Sequence, residues 1–229
     1  EELMGFLKNL ILKNQINNND CFIWNSKRKK LNKIEKINKI NLDLIVGIKK
    51  QKITLLENTK SFALGNFTNN ALLWGTRGNG KSSLVKSIFS FVSKTNKNLK
   101  LIQLNKSNIL DIEILYSLLG NFLDKRFIIF IDDLSFEKID SEYKIIKSSL
   151  DGSLQNQPNN IILYVTSNRR HLMPRDMIDN ERSSAIHTDE SIEEKISLSD
   201  RFGLWIGFHN LSQKQYLMIV ETYCNHFNI

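Results

Sequence analysis

The sequence predicts an α/β fold with a three-layer α/β/α core and a mainly parallel sheet. Short apolar segments alternate with segments of helical periodicity, an order typical of a parallel sheet covered by helices on both faces. The apolar segments lack polar alternation, as expected for strands buried on both sides. A glycine-rich loop follows one of them, and two acids follow another. The predicted strands lie in ALLW (71–74), LKLIQL (99–104), RFIIFIDD (126–133), NIILYVTSN (160–168) and GLWIGFH (203–209).

Helical spacing predicts the layers between these strands. From Ser82 onward, apolar residues recur at intervals of three and four, which indicates a helix directly after the glycine-rich loop. Glycines mark the predicted ends of three other helices, at Gly65, Gly120 and Gly152. Ser212 is the predicted N-cap of a last helix, in the segment SQKQYLMIVETYC.

Composition limits the classes of protein that this chain can be. Its hydrophobic fraction is 41% over 229 residues, and no apolar run reaches the roughly 20 residues that a bilayer-spanning helix needs. The first residues lack the basic start and the cleavage site of a signal peptide. Cys21 and Cys224 match no metal spacing, so we expect free thiols in a reducing compartment. We therefore expect a cytoplasmic protein with no membrane segment.

The positive charge is concentrated near the N-terminus. The chain has a net charge of +8, and much of the excess lies in SKRKKLNKIEKINK (26–39). Such a run favours an acidic partner, either nucleic acid or an anionic membrane surface. A solvated, lysine-rich segment is an equally good interpretation, because no aromatic residues are interleaved with the lysines.

The glycine-rich loop carries the clearest chemical signal. GTRGNGKS (75–82) fits the pattern G-x-x-x-x-G-K-[ST] between a strand and a helix. Glycines let backbone N–H groups surround a phosphate, and the helix N-terminus adds a partial positive charge. Lys81 would reach the β- and γ-phosphates, and the Ser82 hydroxyl would bind Mg²⁺. The alternative is a flexible turn that matches by chance, which the flanking elements disfavour. The predicted loop residues are Gly75, Thr76, Arg77, Gly78, Asn79, Gly80, Lys81, Ser82 and Ser83.

Two acids follow the most apolar strand. Asp132 and Asp133 come at the carboxyl end of FIIFI, the sheet edge at which ligands of open α/β folds bind. We assign Asp132 to the Mg²⁺ site and Asp133 to orientation and deprotonation of an attacking water. The alternative is a helix N-cap with surplus charge. Two adjacent acids at a buried strand end are costly without a cation or hydrogen bonds, which favours the first interpretation.

Two further polar residues belong to the same predicted site. Asn168 ends the strand that carries Thr166 and Ser167, where a polar side chain would help to place the water. Arg201, in LSDRFGLW, precedes the last strand and would stabilise transition-state charge on a nucleotide held by a neighbouring subunit. A local ion pair between Arg201 and Asp200 is the alternative.

The order of these segments resembles the core of an AAA+ ATPase. DRFGL is similar to the arginine-finger segment of AAA+ branch-migration motors and of magnesium chelatase subunits. Longer segments resemble the bacterial predicted ATPases called domain-of-unknown-function family 815, over roughly residues 40–229. The segments that carry this resemblance are VGIKKQKITLLENTKSFALGNFTNNALLWGTRGNGKSSLVKSIF, FIIFIDDLSFE, LDGSLQNQPNNIILYVTSNRRHL and EEKISLSDRFGLW.

The resemblance implies a site and a domain organisation. It implies ATP and Mg²⁺ as cofactors, with Lys81 and Ser82 as the Walker A pair, Asp132 and Asp133 as Walker B, Asn168 as sensor 1 and Arg201 as the finger. Val46, Gly47 and Ile48 resemble the segment that packs on adenine. It also implies an AAA+ core over 46–211 and, over 212–229, the start of a helical lid that ends before a sensor 2 arginine. Residues 1–45, which are charged and have weak turn signals, are predicted from their own pattern as an N-terminal helical extension.

Two departures from the family pattern affect the expected activity. Many AAA+ proteins have Glu where this chain has Asp133, so we expect slow hydrolysis or a contribution from Glu137. We also expect a truncated lid, which would affect closure over the nucleotide. We expect a homo-oligomeric ATPase that remodels a nucleic-acid or protein client. The alternatives are a nucleotide-gated binding module similar to helicase loaders, with little turnover, and a small-molecule kinase, which TSN and DRFG disfavour.

Overall fold

The computed structural model describes residues 2–137, 141–150, 157–172 and 198–229. Within these residues, seven strands form a single sheet in the order β2-β1-β4-β5-β6-β3-β7. β1 and β2 pair antiparallel, and every other neighbouring pair is parallel. The strands are β1 (Cys21–Asn25), β2 (Lys30–Lys33), β3 (Ala71–Gly75), β4 (Leu99–Gln103), β5 (Arg126–Ile131), β6 (Ile161–Ser167) and β7 (Leu204–Phe208).

Helices cover both faces of this sheet. In the described part of the chain, two short 3₁₀ helices lie in the connections, at Leu42–Leu44 and Lys106–Asp111. No helix in the described ranges is long and apolar enough to cross a bilayer. The α-helices are α1 (Glu2–Asn18), α2 (Lys49–Ala63), α3 (Lys81–Val92), α4 (Ile112–Leu119), α5 (Ser141–Leu150) and α6 (Gln213–Phe227).

Alternation along β5 divides the core into two halves. Successive side chains of a strand point to opposite faces, and all five apolar residues from Phe127 to Ile131 are fully buried. Phe127, Ile129 and Ile131 pack with residues of α4 and α5. Ile128 and Phe130 pack with residues of α2 and α3. The unbroken apolar run thus reflects a strand covered on both sides, as its sequence predicts.

The predicted α/β architecture is confirmed, and all five predicted strands form. Ser212 is the N-cap of α6, and its side chain completes a capping box with Gln215. The predicted helix end at Gly65 lies just after Leu64, the C-cap of α2, and Gly65 has a φ of 93°. The predicted end at Gly152 lies outside the described residues.

The N-terminal region differs from the predicted helical extension. Helix α1 forms, but Cys21–Asn25 and Lys30–Lys33 are strands, and β1 joins the main sheet beside β4. The reason is burial: Phe22 and Trp24 are almost fully buried, and the indole of Trp24 donates a 2.8 Å hydrogen bond to Asp111. The apolar run CFIWN therefore extends the core rather than preceding it.

Sheet order determines which side chains meet at the carboxyl edge. β6 lies between β3, which leads into the glycine-rich loop, and β5, which leads into Asp132 and Asp133. The three strands are parallel, so their carboxyl ends lie together. Residues that follow β6 are consequently placed between the loop and the two acids.

Candidate phosphate- and metal-binding site

The glycine-rich loop connects β3 directly to α3. Gly75 ends β3 beside β7, and a Cβ atom at this position would lie 2.0 Å from the carbonyl oxygen of Phe208. Gly80 is the N-cap of α3 and has a φ of 83°, in the left-handed region that favours glycine. Both glycines are thus required by the backbone, and they aim the N-terminus of α3 at the space above the loop.

Lys81 folds back across the loop. Its ammonium donates hydrogen bonds to the carbonyl oxygens of Gly75, at 2.7 Å, and Thr76, at 2.8 Å, and to Oδ1 of Asn168 at 3.3 Å. Burial lowers the pKa of this ammonium, and the carboxylates of Asp133 and Asp132 oppose that shift. A positive charge is therefore held among oxygen acceptors at the start of the helix.

Asp132 is the acceptor at the centre of the site. Its Oδ1 receives a 2.5 Å hydrogen bond from the hydroxyl of Ser82 and another of 2.5 Å from the hydroxyl of Thr166. The hydroxyl of Thr166 also accepts a 2.9 Å hydrogen bond from the backbone N–H of Asp133. The loop, the acid-ended strand and the intervening strand are joined through this one carboxylate.

Asp133 lies on the open side of the same cluster. Its Oδ1 accepts a hydrogen bond from the side-chain amide of Asn168, and its Oδ2 lies 3.6 Å from a guanidinium nitrogen of Arg77. The backbone of Asp133 has a φ of 54°, a conformation that non-glycine residues adopt rarely. The bond from its N–H to Thr166 holds this conformation and turns the carboxylate toward the cavity.

These groups surround an open cavity of about 370 Å³. The carboxylates of Asp132 and Asp133 and the hydroxyls of Ser82 and Thr166 are all oxygen donors, the ligand type that Mg²⁺ prefers. The loop glycines leave open space, since a Cβ at Gly78 or Gly80 would meet no atom within 4 Å. A cavity with a cation, a helix N-terminus and oxygen ligands fits a phosphate chain with its metal. The lining residues are Arg77, Gly78, Asn79, Gly80, Lys81, Ser82, Ser83, Asp132, Asp133, Thr166 and Asn168.

Four of the predicted site residues lie elsewhere. The residues Val46, Gly47 and Ile48 do not line this cavity; the carbonyl of Gly47 instead accepts a 3.0 Å hydrogen bond from Gln215 of α6. Arg201 lies beside a different cavity, together with Asn69 and Gly203.

Glu137, the other candidate base, is also outside the phosphate cavity. Its carboxylate accepts a 2.8 Å hydrogen bond from the guanidinium of Arg169. A second nitrogen of Arg169 donates to the carbonyl of Phe136 at 3.0 Å. Glu137 is thus held toward the loop after β6, and Asp133 is the carboxylate of the two that faces the cavity.

Arg170, which follows β6, contacts aromatic side chains of β3 and β7. Its guanidinium lies 5.2 Å from the ring centroid of Trp74 and 4.8 Å from that of Trp205. Trp74 immediately precedes the glycine-rich loop, and Trp205 lies in the strand that follows Arg201. The stacked arginine thus links the loop after β6 to both of these strands.

Sequence reasoning missed two features of the site. It placed Thr166 at the correct strand end but gave it no role, although its hydroxyl bridges the two acids. It also missed the attachment of the loop to the segment before α6: Thr76 donates to Oδ1 of Asn210 at 3.0 Å, and Asn79 donates to the carbonyl of His209 at 3.1 Å. The role of Thr166 could have been found from the sequence, because it places a hydroxyl two residues before Asn168. The contacts of the loop with Asn210 and His209 have no corresponding signal in the sequence.

Solved structures share this architecture at low sequence identity. The Thermotoga maritima RuvB Holliday junction branch migration motor superposes with a TM-score of 0.53 and 18% identity, over 82% of this chain and 54% of the motor. The Aeropyrum pernix ORC1 protein in complex with DNA gives 0.53 and 16%, over 81% and 53%. An Escherichia coli HORMA:CdnC:Trip13 complex gives 0.56 and 12%, over 82% and 71%. The chain thus spans about half the length of the first two proteins.

Together, the sheet order and the loop define the class: the chain has an AAA+ P-loop fold. No protein of curated function matches the sequence. A family model matches residues 17–229, nearly the whole chain. The chain belongs to that family, which is described as protein of unknown function (DUF815).

Proposed function

We propose that this protein binds ATP with Mg²⁺ and hydrolyses it. The observation that carries the proposal is the hydrogen bond between Ser82 and Asp132 beside the buried ammonium of Lys81. These three groups come from two strand ends, and together they offer one cation and two oxygen ligands to the same space. A phosphate chain with a bound metal uses all three, whereas a structural turn uses none.

Each residue has a distinct part in binding. The N–H groups at the start of α3 would hold the β-phosphate, and Lys81 would exchange its contacts with loop carbonyls for contacts with phosphate oxygens. Ser82 and Asp132 would hold the metal, Ser82 directly and Asp132 directly or through water. Mg²⁺ would supply charge neutralisation between the β- and γ-phosphates.

Asp133 and Asn168 would act on the attacking water. The water oxygen forms a bond to the γ-phosphorus while the bond to the β–γ bridging oxygen breaks, and ADP leaves with that electron pair. Asp133 accepts the proton of the water, and the amide of Asn168 orients the carboxylate. The products are ADP and inorganic phosphate, with the proton passed on to solvent.

Assembly and the remaining contacts are part of the same proposal. Val46, Gly47 and Ile48 would pack on adenine beneath α6, since Gln215 of α6 already bonds Gly47. Arg201 would act on ATP held by the next subunit of a homo-oligomer, because it lies beside another cavity of its own chain. Turnover would drive rearrangement of the oligomer on a nucleic-acid or protein client.

A second function is a nucleotide-gated binding module with little turnover. The observation that favours it is the position of Asp133, which has one methylene fewer than Glu. Asn168 and Arg77 lie against its two oxygens. A carboxylate held on both sides approaches the water less readily. ATP would then assemble the protein on its partner without being consumed.

Calorimetric titration with ATP and Mg²⁺, followed by steady-state phosphate release, tests both functions. Lys81→Ala should weaken ATP binding by at least about tenfold, because hydrogen bonds to a charged group are lost. Lys86→Ala, in the same helix but outside the cavity, is the matched control and should retain affinity. Equal affinity of Lys81→Ala and wild type would refute the site, and tight binding without phosphate release would favour the binding module.

A further inference from the structure

A second cavity, of about 800 Å³, lies at the opposite edge of the sheet from the phosphate site. It is bordered by the first residue of β1, Cys21, by the segment that follows β2, and by the end of α3. β1 runs parallel to β4, so its first residue marks the amino edge of the sheet, whereas Gly75 marks the carboxyl edge. The lysines that line this cavity are Lys36, Lys39, Lys94 and Lys97, and we call it the lysine groove.

The segment after β2 is held in place by regularly spaced isoleucines. Ile34, Ile37 and Ile40 recur every third residue, and all three pack against the core beside α3. Lys36 and Lys39 lie between these anchors, are exposed, and line the groove. The basic segment is therefore packed against the core through its isoleucines, and this packing fixes the positions of its lysines.

Both acids that line the groove already have lysine partners. Asp20 accepts a 2.8 Å contact from Lys100, which is itself buried. Glu35 lies 2.9 Å from Lys33. The carboxylates therefore do not neutralise the remaining lysines.

Lys36, Lys94 and Lys97 have no carboxylate partner among the described residues, and all three are exposed. Lys39 donates to the hydroxyl of Ser90, which leaves its charge uncompensated. Three asparagines, Asn18, Asn19 and Asn38, add neutral amide donors to the rim. The groove therefore combines several unmatched positive charges with uncharged hydrogen-bond donors, a composition suited to phosphate oxygens.

We propose that the lysine groove binds the phosphate backbone of double-stranded nucleic acid. Lysine contacts phosphates as a point charge, and such contacts supply binding that is independent of base sequence. Phe89 is the aromatic side chain that lines the groove, and it is buried. Because base stacking on exposed aromatics characterises single-strand sites, the groove favours a duplex. A role of the groove as the client site rests on the proposed ATPase function, whereas duplex binding itself does not.

The test is the salt dependence of binding to a short fluorescent DNA duplex. For the wild type, the logarithm of the association constant should fall linearly with the logarithm of salt concentration. A Lys36→Gln, Lys94→Gln, Lys97→Gln variant should lower the slope by about three and the affinity by at least about tenfold at low salt. The matched control, Lys13→Gln, Lys144→Gln, Lys214→Gln, removes the same charge from exposed positions elsewhere and should keep the wild-type slope.

Each other outcome overturns the proposal. Equal losses in the two triple variants would mean diffuse attraction without a site. Binding to anionic phospholipid vesicles or to single strands, with no duplex binding, would assign the groove to a different ligand. The ATP affinity of the same variants is measured in parallel, and affinity equal to that of the wild type shows that the variants fold. If the wild type itself does not bind ATP, the ATPase proposal is refuted and the duplex-binding proposal is unaffected.

Discussion

Ser82 and Asp132 share a 2.5 Å hydrogen bond across 50 positions of sequence. The hydroxyl proton points at the carboxylate, so the lone pairs of the serine oxygen are free to face a cation. Asp132 itself is anchored a second time by Thr166. The pair thus has the arrangement that the proposal requires of two neighbouring metal ligands.

Replacement of this pair should separate metal binding from nucleotide binding. We expect Asp132→Asn to weaken the Mg²⁺-dependent part of ATP affinity by roughly 10–100-fold, because a charged ligand is lost from the metal site. Affinity measured in EDTA should change little. Ser82→Ala should reduce the Mg²⁺-dependent ATP affinity less in the Asp132→Asn background than in the wild type, since the two residues would share the metal ion as a partner. Additive losses would contradict a shared metal.

Thr166→Val should destabilise the folded protein. The substitution keeps the shape of the side chain but leaves the partly buried N–H of Asp133 without this acceptor and removes a donor to Asp132. We expect the free energy of unfolding to fall by about 1–3 kcal/mol, measured by urea denaturation. Thr166→Ser, which retains the hydroxyl, is the control and should recover most of the loss. A Val variant as stable as wild type would show that the bridge contributes nothing.

Asp133→Asn should separate binding from turnover. The amide cannot accept the proton of the attacking water, so phosphate release should drop at least about 100-fold, the lower range for general-base catalysis, while ATP affinity persists. Glu137→Gln is the comparison, and we expect it to retain turnover because Glu137 faces Arg169. The reverse pattern in the two variants would transfer the base to Glu137.

The proposed action of Arg201 across subunits predicts complementation between two inactive proteins. Arg201→Ala lacks the finger and Asp133→Asn lacks the base, so each alone should release little phosphate. In mixed oligomers, an intact base in one subunit meets an intact finger from another, and part of the activity should return. We expect the recovered rate to peak near equal amounts. No recovery at any ratio would place the action of Arg201 within its own chain or outside catalysis.

Cys21 should resist alkylation in the folded protein. Burial, reinforced by the nearby Asp20, raises the pKa of its thiol to about 12. At pH 9 only about one thiol in a thousand would be ionised, because each pH unit below the pKa reduces the thiolate tenfold. Iodoacetamide should therefore modify the partly exposed Cys224 first and Cys21 only after unfolding in urea. Rapid modification that persists in Cys224→Ser would contradict this.

The sequence predicted the parts of the molecule that local patterns determine. Continuous apolar runs identified the five parallel strands. The glycine pattern from Gly75 to Ser82, together with the helical spacing after it, predicted a phosphate-binding loop between a strand and a helix. Asp132, Asp133 and Asn168 were predicted together because parallel strands deliver their carboxyl ends to one edge. The structure brings all three to the loop.

Features that depend on contacts between distant segments were not predictable in the same way. Whether CFIWN continues a helix or joins a sheet depends on the acceptor that Asp111 offers to Trp24, which lies 87 positions away. The bridge through Thr166 depends on the register of β6 against β5. Asn210 contacts the loop only because β7 pairs with β3.

The location of β6 between β3 and β5 has a consequence for how this site can change over evolution. Thr166 and Asn168 are two positions apart, so a one-residue insertion or deletion within β6 would turn both away from their acids in the same event. A shift of the strand therefore cannot change the orientation of Thr166 without also changing that of Asn168. The hydroxyl that anchors Asp132 and the amide that contacts Asp133 are therefore inherited as a single unit, and variation among relatives should appear as point substitutions at these positions rather than as changes in strand length.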